Sequence, residues 1–279
     1  MTIHKLPTLS FVPVDSLLMH EHHDETRTRP LILRIRASAV FRNPPIVTPL
    51  NDGSGRYMML DGANRTMAIR AMAFPHILVQ VIEPDDPGLL LQTWNHIVWE
   101  LNPRSFIDGL RRIPGIYLKR TSVQHAELDL ESASDLVLVR TPSGSTYKAV
   151  TQEDGLENRV LHLNRVVDSY RQRARLDRTF IRDVRYLREI YPLFSGLVIF
   201  PQFQMRDVLM LASQHCLLPS GITRFTISPR ALHVNYPLEE FAAEKSLDEK
   251  NEDLQGWLQD RLAHKSIRYY AEPTFLFDE

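Results

Sequence analysis

The sequence feature that most constrains the fold is an apolar strand pattern that ends in Asp61-Gly62 and passes at once into a helical pattern. Residues 56–60 (Arg-Tyr-Met-Met-Leu) precede the turn, and residues 64–74 follow it with Ala68 on an apolar helix face. Glycine allows the backbone to turn sharply and to approach a ligand closely. The first N–H groups of a helix lack partners and, with the helix dipole, form an anion site. The pattern predicts a phosphate-binding strand–turn–helix at residues 61–65.

The side chains of this turn add chemistry to the backbone donors. Arg65 carries a planar guanidinium that suits phosphate oxygens, and Asp61 is suited to a magnesium ion or a hydrogen-bond donor. The spacing also allows a simpler interpretation, in which Asp61 and Asn64 cap the helix and Arg65 lies on the surface. The short Asp-Gly-x-x-Arg pattern does not separate these two interpretations, so its surroundings have to decide.

The surrounding patterns predict an α/β (α+β) protein with a mixed sheet. Apolar alternation and turn residues indicate strands in most of the N-terminal part and helices between them. The strands are predicted at 9–14, 46–50, 56–60, 76–83, 89–94, 135–140, 145–150, 197–200, 222–227 and 232–236, the last two paired. The helices are predicted from Pro30 to before Pro44-Pro45 and at 64–74, 103–113, 156–175, 180–191, 205–216 and 238–265, with 267–277 extended.

Charge and composition exclude several classes of function. The formal net charge is -1, whereas a dedicated nucleic-acid binder usually carries a basic excess. The single cysteine, Cys216, excludes a disulfide or cysteine-based metal cluster within the chain. The first residues lack the apolar stretch of a signal peptide, and no apolar run reaches the length of about 20 residues that spans a membrane. We therefore expect a cytoplasmic protein without a membrane or nucleic-acid partner.

The turn and its neighbours together resemble the core of the ParB/sulfiredoxin superfamily, over about residues 12–82. The shared pattern is a proline-led strand, a glycine hairpin, a strand ending in Asp-Gly-x-x-Arg, a helix and the apolar strand of residues 77–82. Sulfiredoxins place a cysteine in the turn, where this chain has Ala63-Asn64. Partition proteins carry two arginines at the turn and a downstream helix-turn-helix, and this chain has neither pattern. Both branches are therefore disfavoured.

The free-serine kinase branch is matched along nearly the whole chain. Its His-Glu dipeptide corresponds to His20-Glu21, its Thr-Trp pair to Thr93-Trp94, and its Thr-Arg pair to Thr223-Arg224. The stretch at 207–210 and the Pro-Ser-Gly-Ile-Thr-Arg-Phe run at 219–225 are similar to the siderophore-pathway serine kinases. The resemblance implies a nucleotide-binding core at residues 1–120 and a C-terminal α/β part at 121–279 that completes the substrate pocket.

This resemblance implies phosphorylation of free L-serine, or a similar hydroxy-amino acid, to O-phospho-L-serine with ATP or ADP and Mg²⁺. An alcohol kinase needs a group that accepts the hydroxyl proton, and the family's general base corresponds to Glu21. Arg224, Thr223, Thr93 and Trp94 are the implied serine-binding residues. The implied phosphate-binding residues are Gly62, Ala63, Asn64 and Arg65, with Asp61 as a second catalytic residue that contacts Mg²⁺ through the phosphates. Ala63 and Asn64 depart from the family, which usually has histidine in one or both of these positions.

Two other functions stay open at this point, together with one other kind of site. The chain could be a nucleotide-binding regulatory protein without turnover or, against its charge balance, a DNA-binding protein. The run at residues 19–24 (Met-His-Glu-His-His-Asp) has the donor types of a zinc site. Consecutive residues rarely converge on one metal, so we interpret this run as a loop that presents Glu21 to the active site.

Overall fold

A computed structural model describes residues 6–22, 28–122 and 135–270 of the chain. It confirms an α/β protein with mixed sheets. The strands are β1 (Thr8–Pro13), β2 (Leu17–Leu18), β3 (Val40–Phe41), β4 (Ile46–Pro49), β5 (Tyr57–Asp61), β6 (His76–Val81), β7 (Leu89–Thr93), β8 (Asn95–Trp99), β9 (Ile116–Thr121), β10 (Asp135–Arg140), β11 (Thr146–Thr151), β12 (Arg175–Thr179), β13 (Phe194–Ile199), β14 (Thr223–Ile227) and β15 (Tyr236–Pro237). The helices are α1 (Thr28–Ser38), α2 (Ala63–Ala71), α3 (Pro103–Arg111), α4 (Leu156–Arg171), α5 (Val184–Ile190), α6 (Met205–Ser213), α7 (Glu239–Ala242) and α8 (Leu247–Ala263).

The N-terminal sheet carries the predicted phosphate turn at the end of β5. Its five strands lie in the order β1-β6-β4-β5-β2, with β1–β6 and β4–β5 antiparallel and β4–β6 and β5–β2 parallel. Alternating apolar residues of these strands, such as Phe11, Met59 and Leu78, are buried against Ile69 of α2. The C-terminal helix α8 covers the edge strand β1, because the Asn251 side chain bonds both the N–H and the carbonyl of Phe11.

The second sheet has six antiparallel strands in the order β12-β8-β13-β10-β11-β9. Helices α3 and α4 pack on it through buried apolar side chains that include Phe106 and Val166, and Tyr170 is buried among them. Strand β8 precedes residue 120 and β9 spans it, and both pair with strands that follow it, so this sheet includes both sides of the proposed boundary. The division at residue 120 stays a prediction.

The C-terminal elements differ from the sequence prediction in how they pair. Strand β14 does not pair with residues 232–236, and that prediction is wrong: it pairs antiparallel with β7, with Thr223 opposite Thr93. His233 and Asn235 adopt positive φ values of 51° and 52°, which interrupts an extended strand before the two-residue β15. Strand β15 pairs with β3 instead.

The helix predicted at 238–265 is divided in two. Helix α7 ends at Ala242, and Ser246 starts α8 with a capping box in which the Ser246 and Glu249 side chains bond each other's backbone N–H groups. Of the extended segment predicted at 267–277, residues 271–277 lie outside the described residues. Within the described ranges, the helices are too short or too polar to cross a membrane.

Candidate active site

A cavity of about 740 Å³ is lined from both sheets and from β14. The wall on the N-terminal side includes the loop at residues 19–22 and the turn at residues 61–65. The opposite wall includes Trp94, His96 and the loop and strand that begin at Ser220. Residues that are distant in sequence therefore meet at one cavity, which both the turn at residues 61–65 and the contacting pair Glu21 and Thr223 line.

The turn after β5 has the geometry of an anion site. Gly62 precedes α2 with φ 94° and ψ 24°, in the left-handed region, and its carbonyl accepts from Thr66 N at 3.0 Å. A Cβ atom added at Gly62 would lie 2.9 Å from the Cα and Cβ atoms of Pro45, so the close approach also requires glycine. The N–H groups that precede Thr66 have no intrahelical acceptor. Gly62, Ala63, Asn64 and Arg65 all line the cavity.

Two arginines surround Asp61 at this turn. Arg65 Nη2 lies 3.5 Å from Asp61 Oδ2, and Arg65 Nη1 donates to the carbonyl of Asn43 at 2.5 Å. Arg230, which the sequence did not single out, forms a second ion pair with the same Oδ2. Burial lowers the pKa of Arg65, and Asp61 opposes that shift. An arginine pKa is so high that the guanidinium stays charged, so positive charge is fixed at the turn.

Asn64 contributes an unused polar atom to the cavity wall. Its Oδ1 is buried and has no hydrogen-bond partner among the described residues. Amide oxygen and nitrogen are interchangeable by a flip, so this side chain has a free donor or acceptor to offer a ligand. The orphaned amide fits a polar ligand at the turn, whereas Ala63 has only its backbone N–H to contribute.

Glu21 also lines the cavity and is held in place by backbone donors. Its Oε2 accepts from Gly221 N at 2.7 Å, and its Oε1 accepts from Ile222 N at 3.1 Å and Thr223 N at 2.6 Å. The loop of Glu21 is fixed by backbone pairing on both sides, because Leu218 N donates to the His20 carbonyl and His22 N donates to the Leu218 carbonyl. The carboxylate is therefore rigidly positioned.

Thr223 and His20 extend this network into the core. The Thr223 hydroxyl lies 2.5 Å from Glu21 Oε1 and 2.8 Å from His20 Nε2. His20 is buried, and its Nδ1 donates to the carbonyl of Met59 at 2.7 Å. Its ring also packs edge-on against Phe225. Thr223 is thus the link between the general-base candidate and a buried histidine.

Arg224 projects along an aromatic wall. Its guanidinium carbon lies 4.7 Å from the Trp94 ring centroid and 4.9 Å from that of Phe180, and the two rings stack 4.1 Å apart. Such contact orients an arginine while leaving its donors available. Thr93, in contrast, is buried outside the cavity wall, and its hydroxyl has no partner among the described residues. Its pairing with Thr223 positions β14 rather than a ligand.

The Gly221 carbonyl is contacted by His96, which is itself hydrogen-bonded to the buried Tyr170. The Tyr170 hydroxyl lies 3.0 Å from His96 Nδ1, and His96 Nε2 lies 3.4 Å from the Gly221 carbonyl. Burial lowers the pKa of His96 to about 4, so the ring is neutral near pH 7 and donates from Nε2. Gly221 itself has φ +80°, which favours glycine at this position. The backbone that holds Glu21 is thus fixed by His96.

The donor set restricts the metal chemistry. Across residues 6–22, 28–122 and 135–270, no group of three or more His, Cys, Asp or Glu side chains converges as a metal site. His23 and Asp24 of the alternative zinc site lie outside these ranges. Asp61 is a single carboxylate beside the phosphate turn. Because its Oδ2 is paired with Arg65 and Arg230, Asp61 fits Mg²⁺ through Oδ1 together with substrate phosphates, which commonly supply much of the Mg²⁺ coordination.

The sequence is similar to those of characterised L-serine kinases. A comparison with protein-family models finds no match. The chain is 24% identical to the ATP-dependent L-serine kinase SbnI of Staphylococcus aureus over 97% of both chains. It is also 31% identical to the ATP-dependent L-serine kinase of Desulfurococcus mucosus over 46% of this chain and 52% of that one.

Solved structures agree with these sequence matches. C-terminally truncated SbnI superposes with a TM-score of 0.71 at 22% identity, covering 91% of this chain and 97% of that one. A free serine kinase in complex with AMP superposes with a TM-score of 0.69 at 13% identity, covering 86% of this chain and 97% of that one. In sequence the chain is similar to ATP-dependent L-serine kinases over nearly its whole length, and in fold it is similar to the solved free serine kinases.

Proposed function

We propose that this protein transfers the terminal phosphoryl group of ATP to the hydroxyl of free L-serine and forms O-phospho-L-serine. The observation that carries the proposal is the convergence of the phosphate turn, Glu21, Thr223 and Arg224 on one cavity. The relatives named above are ATP-dependent L-serine kinases, which supports the same donor and acceptor here. A cytoplasmic location, where ATP is available, is part of this proposal.

The turn is proposed to bind the donor. The backbone N–H groups at the start of α2 belong to residues that line the cavity, and they suit phosphate oxygens. Arg65 adds a charged, two-pronged donor, and the Asn64 amide adds a neutral one. Mg²⁺, held by Asp61 and the phosphates, would neutralise phosphate charge during transfer. Because the turn is fixed against Pro45, it would position the phosphates without prior rearrangement.

Glu21 is proposed to accept the proton of the serine hydroxyl. A carboxylate has about four lone-pair positions. Oε1 accepts from Ile222 N, Thr223 N and the Thr223 hydroxyl, whereas Oε2 accepts one hydrogen bond from the described residues, that of Gly221 N. Oε2 therefore has a lone pair for the substrate. As the serine Oγ forms its bond to phosphorus and the bond to the leaving ADP breaks, the hydroxyl proton moves to Oε2.

Arg224 is proposed to bind the serine carboxylate. The guanidinium lies against Trp94 and Phe180, which limits its rotation and excludes water from one side of it. A bidentate contact with a carboxylate fixes orientation as well as position. Placing the serine hydroxyl near Glu21 in this way contributes to the rate, since phosphoryl transfer depends strongly on positioning.

The proposal is tested by incubating the protein with L-serine, Mg²⁺ and either ATP or ADP, and following phosphoserine by ³¹P NMR. Phosphoserine is expected with wild type and with Glu252→Gln, a control at an exposed glutamate of α8. Glu21→Gln is expected to lose most of the product. Nucleotide-dependent thermal stabilisation without product from any hydroxy-amino acid would contradict the kinase and support a regulatory nucleotide-binding protein.

A further inference from the structure

His20, Thr223 and Glu21 form a hydrogen-bonded chain that ends on the carbonyl of Met59. The contacts are Met59 O to His20 Nδ1 at 2.7 Å, His20 Nε2 to Thr223 Oγ1 at 2.8 Å, and Thr223 Oγ1 to Glu21 Oε1 at 2.5 Å. We call these three residues the acceptor chain. His20 and Thr223 are buried, so water does not readily replace any of the contacts.

The number of protons in the acceptor chain follows from its geometry. A carbonyl oxygen only accepts, so His20 Nδ1 carries a proton. The Thr223 hydroxyl has one proton and can donate it to His20 or to Glu21, but not to both. A neutral imidazole, a hydroxyl and a carboxylate supply two protons for three contacts. With a hydrogen bond at each of the three contacts, the chain would hold one proton more than these forms provide.

The backbone around Glu21 decides where the additional proton lies. It is carried either by His20 Nε2 or by Glu21 Oε1. The N–H groups of Gly221, Ile222 and Thr223 all donate to the Glu21 carboxylate. Hydrogen bonds of this kind stabilise a carboxylate over a carboxylic acid. The proton is thereby assigned to His20, and the Thr223 hydroxyl donates to Glu21.

We propose that His20 is an imidazolium in the free protein and acts as the positioning residue for Glu21. Its Nε2–H fixes the Thr223 hydroxyl so that the hydroxyl donates to Oε1, which leaves Oε2 directed to the substrate. The kinetic consequence rests on the proposed serine kinase function, whereas the protonation state does not. His20 would thereby fix the position of the Glu21 carboxylate before serine binds.

Charges around the imidazole act in both directions. Burial is the larger effect and lowers the pKa of His20 below its ordinary value, whereas the Glu21 carboxylate and the bond to the Met59 carbonyl oppose it. The imidazolium is therefore inferred from the hydrogen-bond chain, against the effect of burial. The elements packed against the ring are β5, β14 and its own loop. The other titratable or charged groups on these elements are Tyr57 and Asp61 on β5, Arg224 on β14 and His22 in the loop. Of these charged groups, Glu21 is connected to the ring by hydrogen bonds, through the Thr223 hydroxyl. The proposal is therefore tested by replacing Glu21 and Thr223.

The protonation state is measured by ¹H–¹⁵N NMR of the free protein labelled at histidine nitrogens, with His20→Asn assigning the signals. In wild type and Glu252→Gln, both His20 nitrogens are expected to carry protons at about pH 7. In Glu21→Gln the amide supplies the third proton, so a neutral ring with Nδ1–H is expected. In Thr223→Val the Nε2 proton is expected to leave at least about one pH unit lower than in wild type. A neutral wild-type ring, or equal titration in wild type and Thr223→Val, overturns the proposal.

The positioning role is measured by kinetics. His20→Asn keeps a donor to Met59 but lacks Nε2, and is expected to lower kcat roughly 10- to 100-fold with an unchanged KM for ATP. Thr223→Ser is expected to recover kcat relative to Thr223→Val, because it restores the hydroxyl. His264→Asn, at an exposed histidine, is the control. If kcat is equal in His20→Asn and wild type, the role is refuted. If wild type forms no phosphoserine, the kinase proposal fails, and NMR still decides the state of His20.

Discussion

Replacing Gly62 by alanine tests whether the phosphate turn is built as described. The φ of Gly62 is +94°, and an alanine in the left-handed region costs about 1–2 kcal/mol. The new Cβ would also lie 2.9 Å from the Cα of Pro45. Pro45 cannot easily move, because its carbonyl accepts from Gln80 N of β6 at 2.8 Å. Overpacking of this kind adds about 1–2 kcal/mol, so we expect a total loss of about 3 kcal/mol.

The measurement is the free energy of unfolding from urea titration, with two glycine variants as controls. Gly53 has φ +79° and open space around it, so Gly53→Ala isolates the backbone cost of about 1 kcal/mol. Gly256 lies within α8 with open space, so Gly256→Ala is expected to stabilise the protein by about 0.5–1 kcal/mol. A loss in Gly62→Ala no larger than that in Gly53→Ala would refute the close approach of the turn to Pro45.

The remaining predictions concern catalysis, donor binding and pH. Glu21→Gln is expected to lower kcat about 10²- to 10⁴-fold with little change in the KM for ATP, and equal losses in Glu252→Gln would contradict its role as base. Arg65→Ala is expected to raise the KM for ATP roughly 10- to 100-fold through a lost charged hydrogen bond, while Arg185→Ala, whose side chain is 91% exposed, leaves KM unchanged. Because burial lowers the pKa of His96 to about 4, the unfolded chain binds more protons between about pH 6.5 and pH 4. Stability is therefore lost as pH falls through this window, by about 3 kcal/mol from this group, and urea titrations of His96→Gln should show a smaller loss; an unchanged pH slope would count against it.

Local patterns in the sequence predict the N-terminal part of the fold well. The hairpin of β4 and β5, the glycine turn and the helix after it are each encoded by neighbouring residues, since turn chemistry and apolar alternation act over short distances. Glu21 and Thr223 both line the cavity, and the expectation that they act together there comes from their family motif. Their direct contact through the backbone at Gly221 depends on tertiary structure and is not visible in either segment.

Some cavity residues that the sequence did not single out, such as Arg178, lie on a strand whose charged sequence resembles a helix. Strand β12 has the sequence Arg-Leu-Asp-Arg-Thr, and its charges made it look like a continuation of α4 and the loop that follows. It pairs with β8, which places Arg178 opposite His96 and brings Phe180 to the aromatic wall. Leu176 lies between charged residues, which is the alternation that indicates a strand. One apolar residue is too few to outweigh the helical pattern of the preceding residues.

The sequence departs from its relatives at Ala63 and Asn64, and the structure indicates how the turn tolerates this change. The donors that precede Thr66 belong to the backbone, so they do not depend on the side chains at positions 63 and 64. The positive charge that histidine would supply is present in Arg65 and Arg230, both paired with Asp61. Asn64 still lines the cavity, and its buried Oδ1 has no hydrogen-bond partner among the described residues. Charge at this site thus comes from residues that the fold gathers around Asp61, and we expect phosphate binding to depend more on that arrangement than on the variable positions of the motif.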